Sequence, residues 1–224
     1  MKNLPVNFKF VEVVNSFSVM SYQIIALMGS PVPDGNTSKI LERAVKGAED
    51  AGCNVSKVDV TSLKFSPCME YFYCDQNEGC MINDDFTPFI QRFRMADGFI
   101  VATPVMTMGI PGALKSFMDR FQVFFAAKYM RHKPLITKEQ KTWRKTLLIS
   151  IGGMKIPNDF DGVKLSMNSF CDIIDAPLYG EVLQNDMDNI KDIENRPEIL
   201  ETAYKKSFEM CSGIISGKKR FSKE

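Results

Sequence analysis

The segment from Gly29 to Ser38 has the residue types of a loop that binds a phosphate group. It reads Gly-Ser-Pro-Val-Pro-Asp-Gly-Asn-Thr-Ser, follows the apolar run 22–28 and opens a helical pattern. A helix N-terminus offers unpaired N–H groups and the positive end of the helix dipole. Four side chains of the loop can add hydrogen bonds to the same anion: Ser30, Asn36, Thr37 and Ser38. Hydroxyl and amide donors of this kind suit a terminal phosphate monoester.

The composition of this loop excludes the two commonest nucleotide-binding motifs. A Walker loop requires Gly-Lys followed by Ser or Thr, and a dinucleotide fingerprint requires three glycines at fixed spacing. The loop contains no Lys or Arg and lacks that glycine spacing. The alternative for this segment is that Asn36 or Thr37 only caps the helix, while Pro and Gly shape an ordinary turn.

Two further loops are predicted to reach the same place as the phosphate loop. The segment 103–109 follows the apolar run 98–103, and the pair Gly152-Gly153 follows the apolar run 146–151. Continuous apolar runs of this length are typical of strands that are buried on both faces of a parallel sheet. Because the carboxyl ends of parallel strands share one edge, we expect the three loops to meet in one crevice.

Three of the six cysteines stand together in a short polar and aromatic segment, at Cys68, Cys74 and Cys80. Since the chain shows no secretory signal pattern, these thiols are expected to be reduced and to serve metal or redox chemistry rather than a disulfide framework. The other three cysteines lie in helical or helix-end patterns and are predicted to be inert buried hydrophobes: Cys53, Cys171 and Cys211.

The elements that must position these residues alternate along the chain. Strands are predicted at 22–29, 55–60, 98–103, 146–151 and 178–183. Helices are predicted at 37–51, 84–96, 111–125, 163–174 and 197–215. The run 55–60 alternates apolar and polar residues, which indicates an edge strand. Strands that alternate with helices predict an α/β fold with right-handed crossovers, a doubly wound parallel sheet and helices on both of its faces.

Charge and hydropathy narrow the class of partner. The 28 Lys and Arg residues balance the 27 Asp and Glu residues, so no overall field favours nucleic acid or a membrane surface. No signal peptide or membrane-spanning run is predicted, and a cytoplasmic location is expected.

The stretch 128–145 carries seven basic residues against Glu139 and is predicted to be a solvated loop. The alternative for this stretch is a site for NADPH or for an acidic redox partner. His132 within it is expected to be exposed, and Trp143 is a candidate interface anchor.

Three motifs of the sequence resemble those of a known family. The motif GSP...GNTS, the stretch ADGFIVATPV...GIPGALKSFMDR and the glycine pair after the fourth strand match, in order, the flavodoxin-like NADPH-dependent FMN reductase superfamily, and within it the iron-sulfur flavoproteins. The resemblance covers residues 22–215. It implies a flavodoxin-like sheet of five parallel strands in the order 2-1-3-4-5 and a single FMN-binding domain over 21–224. Residues 1–20 are then an N-terminal extension, which either pairs at a sheet edge or reaches a neighbouring subunit.

The resemblance also implies the residues that hold the cofactor. The FMN phosphate would lie against Ser30, Pro31, Asn36, Thr37 and Ser38. The isoalloxazine ring would be bordered by Pro104, Val105, Met106, Thr107, Met108, Gly152 and Gly153. Met106 stands where many relatives carry an aromatic residue, and Asp34 lies where a basic residue is common. A thioether can still pack on the flavin face, and the alternative is that Met106 and Met108 fill gaps in the core.

The cysteine segment departs from the family pattern. Iron-sulfur flavoproteins place a motif of the form C-x2-C-x2-C-x5-C here, whose four thiolates hold a 4Fe-4S cluster. Cys68, Cys74 and Cys80 match the first, third and fourth positions, while Tyr71 occupies the second. Three outcomes remain open: a cluster with a non-cysteine fourth ligand, a loop that has lost the cluster, or thiols that bind zinc or do redox chemistry.

The resemblance implies an FMN-dependent oxidoreductase in which the cofactor supplies the chemistry and the protein supplies position and polarity. The expected electron donor is NAD(P)H or ferredoxin, and the expected acceptor is a quinone, a free flavin, oxygen or an iron-sulfur centre. The alternative is a non-enzymatic flavin electron carrier or a thiol redox sensor. A homodimer or homotetramer is also expected.

Overall fold

The five predicted strands pair side by side in one parallel sheet. The computed structural model describes residues 22–221, and within this part of the chain the strands run as follows: β1 Gln23–Met28, β2 Asn54–Asp59, β3 Gly98–Pro104, β4 Lys145–Ile151 and β5 Leu178–Gln184. Their order is β2-β1-β3-β4-β5, as predicted, and every pair is parallel. The alternating strand β2 lies at an edge, whereas β1, β3 and β4, whose residues are mostly buried, lie inside.

Helices connect these strands. In the described part of the chain they are α1 Asn36–Asp50, α2 Tyr73–Gln76, α3 Thr87–Met95, α4 Gly112–Asp119, α5 Gln122–Phe125, α6 Lys138–Trp143, α7 Asp161–Ile173, α8 Met187–Ile190 and α9 Pro197–Phe221. None of the helices between residues 22 and 221 is long and apolar enough to cross a membrane. The predicted extension, residues 1–20, lies outside the described residues.

The sheet separates two apolar cores. Side chains of β1 alternate between them, so that Ile25 and Leu27 join one core while Ile24 and Ala26 join the other. The first core contains a cluster of aromatic rings in mutual edge-to-face or tilted contact, which includes Phe86, Phe93, Phe117, Phe121 and Phe170. The second core packs α1 and α9 together, and it contains the buried Cys53 and Cys211. Cys171 is also buried, which agrees with the prediction for all three.

The predicted helix 111–125 is divided in two. It ends as α4 at Asp119 and resumes as α5 at Gln122. Between them the N–H groups of Arg120 and Phe121 donate to carbonyls three residues back, as in a tighter 3-10 turn. The guanidinium of Arg120 is buried and donates to the carboxylate of Asp84 at 2.7 and 3.2 Å, the kind of partner that a buried cation requires.

The basic stretch 128–145 is only in part the solvated loop that its composition predicts. Residues 132–134 and 137–139 are exposed, but the stretch includes α6 and ends at the first residue of β4. Lys128 and Lys141 both pair with Asp175 at 3.0 Å. Trp143 is 9% exposed and donates its indole N–H to Asp97 at 3.0 Å. It is therefore part of the core and is not an exposed anchor for a partner. His132 is exposed, as expected.

Arg144 is completely buried and joins the ends of two helices. Its guanidinium donates to the carbonyls of Phe93 and Ala96 at the end of α3, and to those of Ile174 and Asp175 after α7. The last carbonyls of a helix lack partners within the helix and carry partial negative charge, so a cation is well placed there. Burial lowers the pKa of Arg144 to about 10, which leaves it protonated at neutral pH.

Candidate functional site

The phosphate loop lies where β1 ends and α1 begins, at the carboxyl edge of the sheet. The residue before α1, Gly35, has no side-chain hydrogen bond that caps the helix, and the first turn contains no acidic residue. The first N–H groups of α1 are therefore open to an anion, and the helix dipole favours one there. Within the loop, the residues Ser30 and Thr37 are buried, and Ser38 is partly buried.

Asn36 has other partners than an anion. Its Nδ2 donates to the carbonyl of Lys191 at 2.8 Å, and its Oδ1 accepts from the N–H of Ile193 at 3.0 Å. The next turn of α1 is attached to the same segment, because Lys39 pairs with Asp192 at 2.7 Å. The hydrogen bond that Lys39 donates to the carboxylate of Asp192 raises the pKa of Lys39. The segment after α8 thus supports the start of α1, a contact that no local pattern in the sequence indicates.

The second loop forms a tight turn at the end of β3. Met106 and Gly109 exchange two backbone hydrogen bonds, of 2.9 and 3.0 Å. The two central residues, Thr107 and Met108, have φ values of 49° and 59°, which makes this a type I′ turn built without glycine. Met106 and Met108 are 44% and 45% exposed. They therefore do not fill gaps in the core, and their thioethers are available to a ligand.

The third loop begins at Gly152 and Gly153, directly after β4. The N–H of Gly152 donates to the carbonyl of Gln184 at 2.9 Å, and the carbonyl of Gly153 accepts from Asp188 at 2.9 Å. A Cβ atom on Gly152 would overlap Oδ2 of Asp159, so only glycine leaves room for that carboxyl group. Burial raises the pKa of Asp159.

The three predicted loops lie side by side. Their strands β1, β3 and β4 are neighbours in the sheet, and the N–H of Val105 donates to the carbonyl of Ile151 at 2.7 Å. The first turn of α7 is packed against the second loop so closely that a Cβ atom on Gly162 would overlap the carbonyl of Met108. The structure thus brings together the three loops that the sequence predicted for the phosphate and the ring of FMN. Within the first of these loops, the side chain of Asn36 is turned to Lys191 and Ile193.

The cysteine segment lies beyond β2 and encloses a separate pocket of about 200 Å³. Its wall includes the three predicted thiols together with aromatic and methionine side chains: Cys68, Cys74, Cys80, Tyr71, Phe72, Met81 and Met130. Two arginines hold the segment in place. Arg120 donates to Sγ of Cys80 at 3.5 Å and to the carbonyl of Ser66 at 2.7 Å, and Arg131 donates to the carbonyls of Cys74 and Asn77. Arg131 is thus a further basic residue of 128–145 with a structural role, in addition to Lys128, Lys141 and Arg144.

The three thiols are not arranged as a metal site in this conformation. Each is partly buried, and burial raises the pKa of Cys74, with a smaller contribution from the nearby Cys68 and Cys80. Between residues 22 and 221, no group of three or more His, Cys, Asp or Glu side chains is positioned to hold a metal ion. Tyr71, at the second position of the family motif, is 59% exposed. This donor set does not fit a four-iron cluster with four cysteine ligands.

The sequence of this chain is similar to those of known flavoproteins. The family model for NADPH-dependent FMN reductase matches residues 22–155. An iron-sulfur flavoprotein of Methanocaldococcus jannaschii is 28% identical over 111 residues, which is 50% of this chain and 58% of that protein. An iron-sulfur flavoprotein of Archaeoglobus fulgidus is 33% identical over 47% of this chain and 54% of that protein. The chain thus spans little more than half the length of these relatives.

A further relative and a solved structure extend the comparison. An FMN-dependent NADH:quinone oxidoreductase of Alteromonas mediterranea is 28% identical over 57% of this chain and 68% of that protein. The structure of an NAD(P)H:quinone oxidoreductase from Methanothermobacter marburgensis superposes with a TM-score of 0.63 at 17% identity, and covers 85% of this chain and 96% of that one. At this identity the superposition shows the same fold, with its flavodoxin-like parallel sheet.

Proposed function

Because this chain belongs to the NADPH-dependent FMN reductase family, we propose that it is an FMN-dependent oxidoreductase that passes electrons from NAD(P)H to a small-molecule acceptor such as a quinone. The observation that carries this proposal is the meeting of an uncapped helix N-terminus with the loops that follow β3 and β4 at one edge of the sheet. The relative from Alteromonas mediterranea, named for NADH and quinone, supports the choice of donor and acceptor.

The residues of the three loops fit FMN. The first N–H groups of α1, with the side chains of Ser30, Thr37 and Ser38, would hold the phosphate, and Pro31 would shape the turn around it. Asn36 would act as an anchor for this loop through its bonds to Lys191 and Ile193.

The ring would lie against the second and third loops. The backbone from Pro104 to Met108 and the pair Gly152-Gly153 would form its wall, and the exposed thioethers of Met106 and Met108 would pack on it. Bound FMN supplies the oxidation and reduction chemistry, and the chain supplies position and polarity.

Reduction of the flavin-loaded protein by different donors tests this proposal. Apoprotein is loaded with FMN and mixed anaerobically with NADPH, NADH or reduced ferredoxin, and turnover is then followed with menadione as the quinone. We expect bleaching of the flavin absorbance by NAD(P)H and steady-state turnover of menadione. Reduction by ferredoxin alone, without turnover of any quinone, would contradict the proposal and favour an electron carrier.

The cysteine segment supports that second candidate, a carrier or thiol redox sensor, because three thiols surround one pocket beside Arg120. We assign no step to an iron-sulfur cluster, since three thiols and Tyr71 do not provide four thiolate ligands. Iron and acid-labile sulfide analysis of anaerobically purified protein, together with thiol titration before and after peroxide treatment, separates the possibilities. Stoichiometric iron and sulfide would show a cluster, and reversible loss of thiols that changes the rate of flavin turnover would indicate a sensor.

A homodimer or homotetramer in the cytoplasm remains a prediction. Light scattering coupled to size-exclusion chromatography, with and without FMN, measures the oligomeric state directly.

A negative charge introduced into the phosphate loop should weaken the binding of FMN but not that of riboflavin. In Ser38→Asp the new carboxylate stands in the first turn of α1, where it stabilises the helix but repels a phosphate. Like charges brought together at a binding site cost several kcal/mol, so we expect FMN to bind about a hundredfold more weakly or worse. Riboflavin, which lacks the phosphate, should bind nearly as it does to the wild type.

The matched control for this change is Ser38→Ala, which removes the hydroxyl without adding charge. Fluorescence titration of both flavins gives the two dissociation constants, and thermal melting of the apoprotein reports its stability. If Ser38→Asp weakens riboflavin and FMN by the same factor, the loop does not bind the phosphate.

A further inference from the structure

Asp159 is a buried carboxyl group within an exposed segment. Pro157 and Asn158 before it are exposed, whereas Asp159 is only 4% exposed. Asn158 has a φ of 62°, in the left-handed region, and this local conformation directs the following side chain inward. The inward position of this carboxyl group thus follows from the conformation of the backbone before it.

The Oδ2 atom of Asp159 is buried and has no hydrogen-bond partner among the described residues. A buried polar group without a partner costs about 1–3 kcal/mol, and more when it is charged. Natural proteins rarely retain such a group unless a ligand, an ion or water completes it. Burial raises the pKa of this carboxyl, as expected for a group whose negative charge has no compensation.

The position of Asp159 points to the ligand. Its Oδ2 occupies the space that a side chain on Gly152 would fill, and three residues later Gly162 is packed on the carbonyl of Met108. The short segment 159–162 therefore lies between the second and third loops, which are the two walls proposed for the isoalloxazine ring. The polar atoms of that ring lie along its pyrimidine edge and at N5, and they are able to accept or donate hydrogen bonds.

We propose that Asp159 is a flavin-contacting side chain whose Oδ2 forms a hydrogen bond with the polar edge of the isoalloxazine ring. This inference rests on the proposed function and adds to it a residue that the sequence motifs do not include. The contact is directed at the ring, so it acts equally on FMN and riboflavin.

The test compares the binding of the two flavins to Asp159→Ala and Asp159→Asn. A hydrogen bond to a buried, partly charged group contributes about 1.5–3 kcal/mol, so Asp159→Ala should weaken FMN about tenfold or more. Riboflavin should be weakened by the same factor, in contrast to Ser38→Asp, which acts on FMN alone. Asp159→Asn retains a polar group of the same size and should lose less affinity, while the absorption bands of its bound FMN shift relative to the wild type.

The matched control is Glu49→Gln, which removes an exposed carboxylate near the C-terminal end of α1, the end opposite to the phosphate loop. We expect it to bind both flavins like the wild type, and circular dichroism of each apoprotein checks that it folds. If Asp159→Ala does not fold, Asp159→Asn decides through its affinity and its spectrum. Wild-type affinity and spectrum in Asp159→Asn, together with wild-type affinity in any folded Asp159→Ala, would overturn the inference alone. Wild-type protein that binds no flavin would overturn the proposed function itself.

Discussion

Replacement of Arg144 by methionine is expected to lower the free energy of unfolding by about 3–5 kcal/mol. The guanidinium is completely buried and donates to carbonyls at the ends of α3 and α7. Methionine fills much of the volume but donates nothing, so it leaves several buried carbonyls without partners at about 1–3 kcal/mol each, partly recovered by relaxation. A loss of this size is a large part of the stability of an ordinary domain. Urea denaturation followed by circular dichroism measures it.

The control for this experiment is Arg94→Met, the same chemical change on an exposed residue of α3. We expect it to alter the unfolding free energy by less than about 0.5 kcal/mol. Arg144→Lys should fall between the two, because an ammonium group keeps the charge but cannot reach both helix ends. An unfolding midpoint for Arg144→Met close to that of Arg94→Met would show that the buried guanidinium contributes little.

Replacement of Gly162 by alanine is expected to weaken FMN binding about tenfold or more. The added methyl group would overlap the backbone carbonyl of Met108, so the first turn of α7 and the turn 106–109 must move apart. Overpacking of this kind costs about 1–3 kcal/mol. Because the backbone on both sides forms the wall proposed for the ring, part of that cost should appear as lost flavin affinity as well as lost stability.

Gly213→Ala provides the matched control, since Gly213 lies in α9 with no atom within 4 Å of its added methyl group. Alanine should stabilise that helix slightly, by about 0.4–1 kcal/mol, and leave FMN binding unchanged. Fluorescence titration and thermal melting of both variants separate the two effects. If Gly162→Ala loses stability but binds FMN like the wild type, the turn 106–109 does not contact the flavin.

The sequence predicts the sheet and its loops well because their signals are local. Buried parallel strands such as β3 and β4 appear as continuous apolar runs, and the edge strand β2 appears as an alternating one. Once their order is known, the loops that follow β1, β3 and β4 must meet, so the phosphate loop and its two companions could be placed in advance.

The partners of several other residues could not be predicted, because those partners are distant in the sequence. The sequence predicts Asn36 at the phosphate, and the structure adds that its side chain bonds to Lys191, 155 residues away. Nothing near Asp159 in the sequence indicates that its carboxyl group turns inward. Arg144 belongs to a basic stretch that composition assigns to solvent, and only the helix ends that meet around it explain its burial.

The bonds between Asn36 and the segment after α8 also bear on the order of events during synthesis. The phosphate loop is near the start of the described chain, whereas Lys191 and Ile193, which complete its support, leave the ribosome long after it. Contacts of such high sequence separation form late, since a long loop must close before they contribute. A nascent chain can thus form the early strands while the phosphate loop still lacks its support, and we expect this loop to be complete only after residue 193 has been synthesised.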